Sequence, residues 1–120
     1  MRWGRSKYGA TRTEYGGRWY ASRAEASYAA GLDMRLKAKD IRSWEPQVSV
    51  NLEVNGIKIC RYVVDFRVQH LDGSIEWVEV KGFWTPEAKL KAKLFDALYL
   101  HGKKHETYTV SGPSRGGRRL

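Results

Sequence analysis

Asp65, Glu79 and Lys81 are the residues of this chain best placed to do chemistry together. Asp65 stands alone in Tyr-Val-Val-Asp-Phe, and Glu79 and Lys81 stand in Trp-Val-Glu-Val-Lys-Gly. A charge flanked by residues that seek the interior costs more to keep than one on a solvated face. Both stretches alternate as strands do, and Leu71-Asp72-Gly73 between them reads as a three-residue loop with Gly73 in the left-handed conformation. Facing residues then have numbers that sum to 144, so Asp65 opposes Glu79 with β-carbons about 5 Å apart. The same register sets Phe66 against Val78 and Val64 against Val80, an apolar face, and leaves Asp65, Glu79 and Lys81 on the other with Arg67 and Trp77 nearby. A two-residue Asp-Gly turn would instead split the acids between the faces and break the apolar pairing.

Two carboxylates that close repel unless a proton or cation lies between them. Magnesium is commonly held by one or two carboxylates together with a substrate phosphate, and the carbonyl of Val80 offers a further oxygen. Such an ion would polarise a scissile phosphate and lower the pKa of a water. Lys81, two residues after Glu79 and so on its face, would orient that water or offset charge on the phosphorane. Glu25, at the leading end of the first helix, would complete the shell. Plainer accounts are that Glu25 only reciprocates a capping box and that Asp65 and Lys81 form an ordinary cross-strand ion pair.

These residues need a scaffold of helices and strands. Ser22-Arg-Ala-Glu25 fits a capping box ahead of a helix from about Ser22 to Lys39, with Glu25, Tyr28, Ala29, Leu32 and Leu36 on one stripe. From Trp44 the period becomes two, Asn55-Gly56 signals a hairpin, and Ile57 to Gln69 and Ser74 to Lys81 follow as strands. Thr85-Pro86-Glu87 starts a second helix running to about His101 before Gly102, with Leu90, Leu94, Phe95 and Leu98 inward. His105 to Ser111 reads as the last strand. The expected fold is α+β, in the order α-β-β-β-α-β, with a small mixed sheet of about four strands flanked by helices.

The net charge of +9 is concentrated at the ends. Arg2, Arg5, Lys7, Arg12, Arg18 and Arg23 face the single acid Glu14, Arg115, Arg118 and Arg119 face none, and residues 24 to 111 are close to neutral. The chain therefore divides into a basic, aromatic arm at 1–21, a folded domain at 22–111 and a basic tail at 112–120. Basic arms suit a polyanion, because each phosphate they neutralise releases counterions. Trp3, Tyr8, Tyr15, Trp19 and Tyr20 could stack on unpaired bases or pack on the domain. Lys89 and Lys93, an i,i+4 pair on the second helix, could also contact phosphates.

Other classes lack their marks. Cys60 is the single cysteine, expected as a small strand residue, so neither a disulfide framework nor a Cys/His zinc site is available. There is no apolar leader at the start and no run long enough to span a membrane, which implies a cytoplasmic protein. A Gly-rich phosphate loop, a nucleophile elbow and a paired-His motif are all missing.

Glu25 on a first helix, Asp65 in a second strand and Glu79-Val80-Lys81 in a third, followed by helix and strand, resemble the PD-(D/E)XK nuclease core, the restriction-endonuclease-like fold. Val-Glu-Val-Lys-Gly-Phe-Trp before a Lys-rich helix is similar to the Glu-x-Lys-Gly segment of the phage endonuclease I family, whose members resolve Holliday junctions, and to small phage-encoded proteins of the superfamily. The resemblance covers about residues 20 to 110, and the superfamily's Pro before the Asp is Val64 here. It implies a magnesium-dependent endodeoxyribonuclease, with manganese able to substitute, acting on branched DNA as a homodimer in recombination or repair. Phage origin would place it in the host cytoplasm. A nuclease of the same chemistry acting on flaps, nicks or ends is one alternative, and a non-catalytic DNA-binding module is another.

Overall fold

The computed structural model describes residues 11–112, which form two compact units divided between Asp40 and Ile41. Arg2, Arg5, Lys7, Arg115, Arg118 and Arg119 lie outside the described residues.

The first unit pairs a hairpin with a helix. Strands β1 (Thr13–Tyr15) and β2 (Arg18–Tyr20) are antiparallel around Gly16 and Gly17, whose φ of 61° and 83° suit glycine. The last third of the expected arm is thus folded: its glycines serve a turn rather than a loose chain. Tyr20 is buried, Tyr15 donates to Asp33 Oδ2 at 2.7 Å, and the Arg12 guanidinium lies over the exposed Trp19 ring. Helix α1 (Arg23–Lys37) begins where expected, because Ser22 Oγ accepts the Glu25 N–H at 3.1 Å. Its buried positions are Ala26, Ala29 and Leu32, whereas Leu36 is exposed.

The second unit is a four-stranded mixed sheet in the order β3-β4-β5-β6 with a helix between its last two strands. Together with α1 this is an α+β chain in the order α-β-β-β-α-β. Strand β3 (Ser43–Val54) tolerates Pro46 because it lies at the sheet edge, where a missing N–H leaves no ladder bond unmade. It turns at Asn55-Gly56, φ 54° and 77°, into β4 (Ile57–Gln69). Strand β4 then pairs with β5 (Ile75–Val80) as Phe66↔Val78, Arg67↔Trp77, Val68↔Glu76 and Gln69↔Ile75, the register summing to 144. Gly73 takes φ 91°, and Ser74 binds Asp72 Oδ1 through its N–H and its hydroxyl, closing the expected loop.

Thr85 caps helix α2 (Pro86–Leu94) through the Ala88 N–H, and the chain continues as a π-helical segment, Phe95–Leu100. That wider turn changes which residues face inward. Ala92, Phe95 and Leu100 are buried, while Leu90 and Leu98, expected inside from a 3.6-residue period, are exposed. Strand β6 (Glu106–Ser111) returns parallel to β5, from Ile75↔Glu106 to Val80↔Ser111.

The core cluster joins Val50, Leu52, Tyr62, Val64, Ile75, Trp77, Tyr108 and Val110 of the sheet to Ala92, Phe95 and Leu100. Phe95 meets the rings of Tyr62 and Trp77, each at 5.3 Å between centroids, and stacks on Tyr99 at 5.1 Å. Phe66, Val68 and Val78 are also fully buried. Both faces of β5 are therefore covered, and the face expected to carry the charges holds the buried Ile75, Trp77 and Glu79. A strand flanked on both edges is where such two-sided burial is expected.

Candidate active site

The β4–β5 ladder stops at Phe66↔Val78, and beyond it the two acids tie the strands together. Glu79 Oε1 accepts the Asp65 N–H at 3.2 Å, and Asp65 Oδ2 accepts the Val80 N–H at 2.8 Å. Each carboxylate thus reaches the backbone of the other's strand and replaces a bond the ladder would have made. Ladder bonds would hold the strands as firmly without burying any charge. Each of these bonds uses one lone-pair position of a carboxylate that has about four.

Burial makes this arrangement costly to charge. Glu79 is only 3% exposed. Desolvation pushes the Asp65 carboxyl up from 3.8 to about 6, outweighing the lowering effects of the Val80 N–H and of Lys81. Beneath them Tyr62 and Tyr108 share a hydroxyl–hydroxyl hydrogen bond of 2.7 Å. Burial first, then the negative charge of Glu79, raise both phenols well above their usual value, so both stay protonated at neutral pH.

Lys81 Nζ lies 3.8 Å from Glu79 Oε2 and 5.8 Å from the centre of the Trp84 ring. Its ion-pair partner is therefore Glu79 on its own strand rather than Asp65 across the hairpin. Lys81 N–H donates to Ser111 O, and Gly112 passes so close that a β-carbon there would collide with the Lys81 carbonyl oxygen. The end of β6 fixes the backbone from which the lysine projects.

Glu79 and Lys81 open onto a cleft of about 330 Å³, whose other walls are Arg61, Tyr62 and Val63 of β4 and Thr85, Glu87, Ala88 and Lys91 at the start of α2. Tyr62, Tyr108, Arg61 and Lys91 were not singled out from sequence. The tyrosines read there as strand aromatics, and nothing in the spacing distinguishes Lys91 from Lys89 and Lys93. Those two lysines are exposed and do not line the cleft.

The sequence-derived residues are thus partly assembled. Asp65, Glu79, Val80 and Lys81 come together at one end of the β4–β5 hairpin. Glu25 belongs to the first unit, where its N–H completes the cap on Ser22. Among the described residues, no three His, Cys, Asp or Glu side chains gather as a metal cage. Two carboxylates match what magnesium asks of a protein when substrate and water supply the remaining oxygens, and a buried Glu79 beside a half-buried, charge-costly Asp65 is what a cation would relieve. Arg12, Arg18 and Arg23 lie in or beside the first unit's hairpin and helix. Among the described residues, no helix is long and apolar enough to cross a membrane. Cys60 is half-buried with a free thiol.

No curated protein matches the chain in sequence. In fold it is similar to protein VC1899 from Vibrio cholerae, with a TM-score of 0.48 and 12% identity over 84% of this chain. The match takes in 30% of that protein, so the chain spans less than a third of its length. Residues 5–111 match the model of DUF1064, described as a protein of unknown function, and the chain belongs to that family.

Proposed function

We propose that this protein is a magnesium-dependent DNA endonuclease of the PD-(D/E)XK kind, selective for branched DNA such as the Holliday junction. The observation that carries the reading is the exchange of hydrogen bonds that holds the half-buried Asp65 against Glu79, which is buried and lines a cleft beside Lys81. Evolution of a fold rarely retains two such acids without compensation, and a divalent cation is the compensation that also gives chemistry.

Asp65, Glu79 and the Val80 carbonyl would hold magnesium, with manganese an effective substitute. The bound ion supplies Lewis-acid polarisation of the scissile phosphate. The chain's own residues do the rest. The Val80 and Asp65 N–H groups fix one oxygen of each acid, so the pair is oriented before substrate arrives. Lys81, steadied by Glu79 and Trp84, would direct its ammonium to the attacking water and to the negative charge that grows on the phosphoryl oxygens. The protonated phenols of Tyr62 and Tyr108, hydrogen-bonded to each other, add no further negative charge near Glu79.

One chain provides one such site, and resolving a junction needs two cuts, so the working form is a homodimer. Sedimentation at working concentrations should give twice the mass of 13.8 kDa, and monomer alone would remove the paired-cut mechanism. The function itself is tested by incubating the protein with four-way, flap, nicked and linear DNA in magnesium, manganese or EDTA. Cleavage that requires the metal and is fastest on the four-way substrate is the expected result. A preference for flaps, nicks or ends would keep the chemistry and change the substrate. No cleavage of any DNA in either metal would leave a binding module.

A further inference from the structure

The cleft beside the acids is larger than two carboxylates and a lysine require, and its far walls carry cations. Arg61 projects from the part of β4 that runs past the end of its pairing with β5, and Lys91 stands one turn into α2, held by Glu87 at 3.3 Å. We propose that this cleft seats a single unpaired nucleotide of the strand to be cut, with Arg61 and Lys91 gripping the phosphates on either side of it. The proposal rests on the nuclease reading and specifies its substrate: DNA with unpaired nucleotides at the cut.

Size is the first argument. About 330 Å³ is at the lower end of cavities that take small organic ligands, enough for one nucleotide and too little for a base pair within a helix. A nucleotide inside a continuous duplex would have to be unstacked, unpaired and flipped out, whereas one in a gap or flap is already loose. Charge is the second. Arg61, Lys81 and Lys91 outnumber Glu79 and Glu87 around the cleft, and Arg61 offers the planar fork that matches a phosphate in two places. Position is the third, because Glu79 and Lys81 form part of the same wall, so a strand held there carries its phosphodiester past Glu79, to which Asp65 is hydrogen-bonded.

Fluorescence anisotropy in EDTA tests this without any hydrolysis, using a labelled duplex and the same duplex carrying a short single-stranded gap. The wild-type protein should bind the gapped DNA about tenfold or more tightly than the intact duplex. Arg61→Ala and Lys91→Gln should each weaken gapped binding by roughly tenfold, shrink the gapped-to-duplex ratio and lower the salt slope by about 0.7. Equal affinity of the wild type for both probes, or a ratio that neither variant moves, would overturn the proposal. Because the readout is binding, a protein that cuts nothing in magnesium yet shows the gap preference would lose the nuclease reading and keep the nucleotide cleft.

Discussion

Asp65→Asn and Glu79→Gln should each abolish magnesium-dependent DNA cleavage, with a loss on the order of 1,000-fold or more, while leaving DNA binding measurable. Lewis-acid stabilisation of the transition state is worth several kcal/mol, and each 1.36 kcal/mol is a factor of ten in rate. Both substitutions keep the size of the side chain and an oxygen able to accept the N–H it now holds, from Val80 in one case and Asp65 in the other. They remove only the negative charge. Lys81→Met should cost roughly 100-fold to 1,000-fold, the usual effect of deleting one group that answers charge developing in a transition state. Single-turnover cleavage of labelled DNA in magnesium, beside anisotropy in EDTA, separates the two readouts. Cleavage that persisted in both acid variants would eliminate this site.

The same Asp65→Asn change should make the metal-free protein more stable at neutral pH. The folded pKa of Asp65, about 6, lies above its ordinary 3.8, so the native state holds this proton more tightly than the unfolded chain does. Asp65 therefore favours folding below about pH 4, and that contribution is lost as the pH rises through 6. The difference corresponds to about 3 kcal/mol at neutral pH. Asn carries no charge to desolvate, and in EDTA at pH 7.5 the variant should melt on the order of 10 °C above the wild type. At pH 4 the gap should close. Magnesium should raise the melting temperature of the wild type and leave that of the variant unmoved, because only the wild type binds it in the native state. A variant less stable than the wild type at pH 7.5 would mean that the buried charge is already compensated within the protein. The two effects have opposite signs for one substitution, loss of activity with gain of stability, and a merely structural aspartate would not show that pattern.

The hairpin that carries the acids was legible because its signals are local. Asn55-Gly56 and Asp72-Gly73 demand particular backbone conformations, and with the turns set, period-two alternation fixes who faces whom. The first helix was legible for a similar reason, since Ser22 and Glu25 define its start within four residues. The hairpin at Thr13–Tyr20 was missed because its signal, Gly16-Gly17 among basic and aromatic residues, is equally the composition of a loose arm. Leu98 was misplaced because a 3.6-residue period carries no warning of the π-helical segment that starts at Phe95, and Leu90 because the buried position of α2 is Ala92.

By itself the sequence determined the register of the β4–β5 hairpin, because pairing along a strand is arithmetic once the turns are known. That ladder runs as far as Phe66↔Val78 and does not include the expected Asp65–Glu79 and Val64–Val80 pairs. Tertiary structure alone decided that Glu79 is buried and Asp65 half-buried, that they bind each other's backbone where the ladder ends, and that Tyr62, Arg61 and Lys91 line a cleft with Glu79. Burial and desolvation depend on what packs over a strand from distant parts of the chain. No local pattern contains that information.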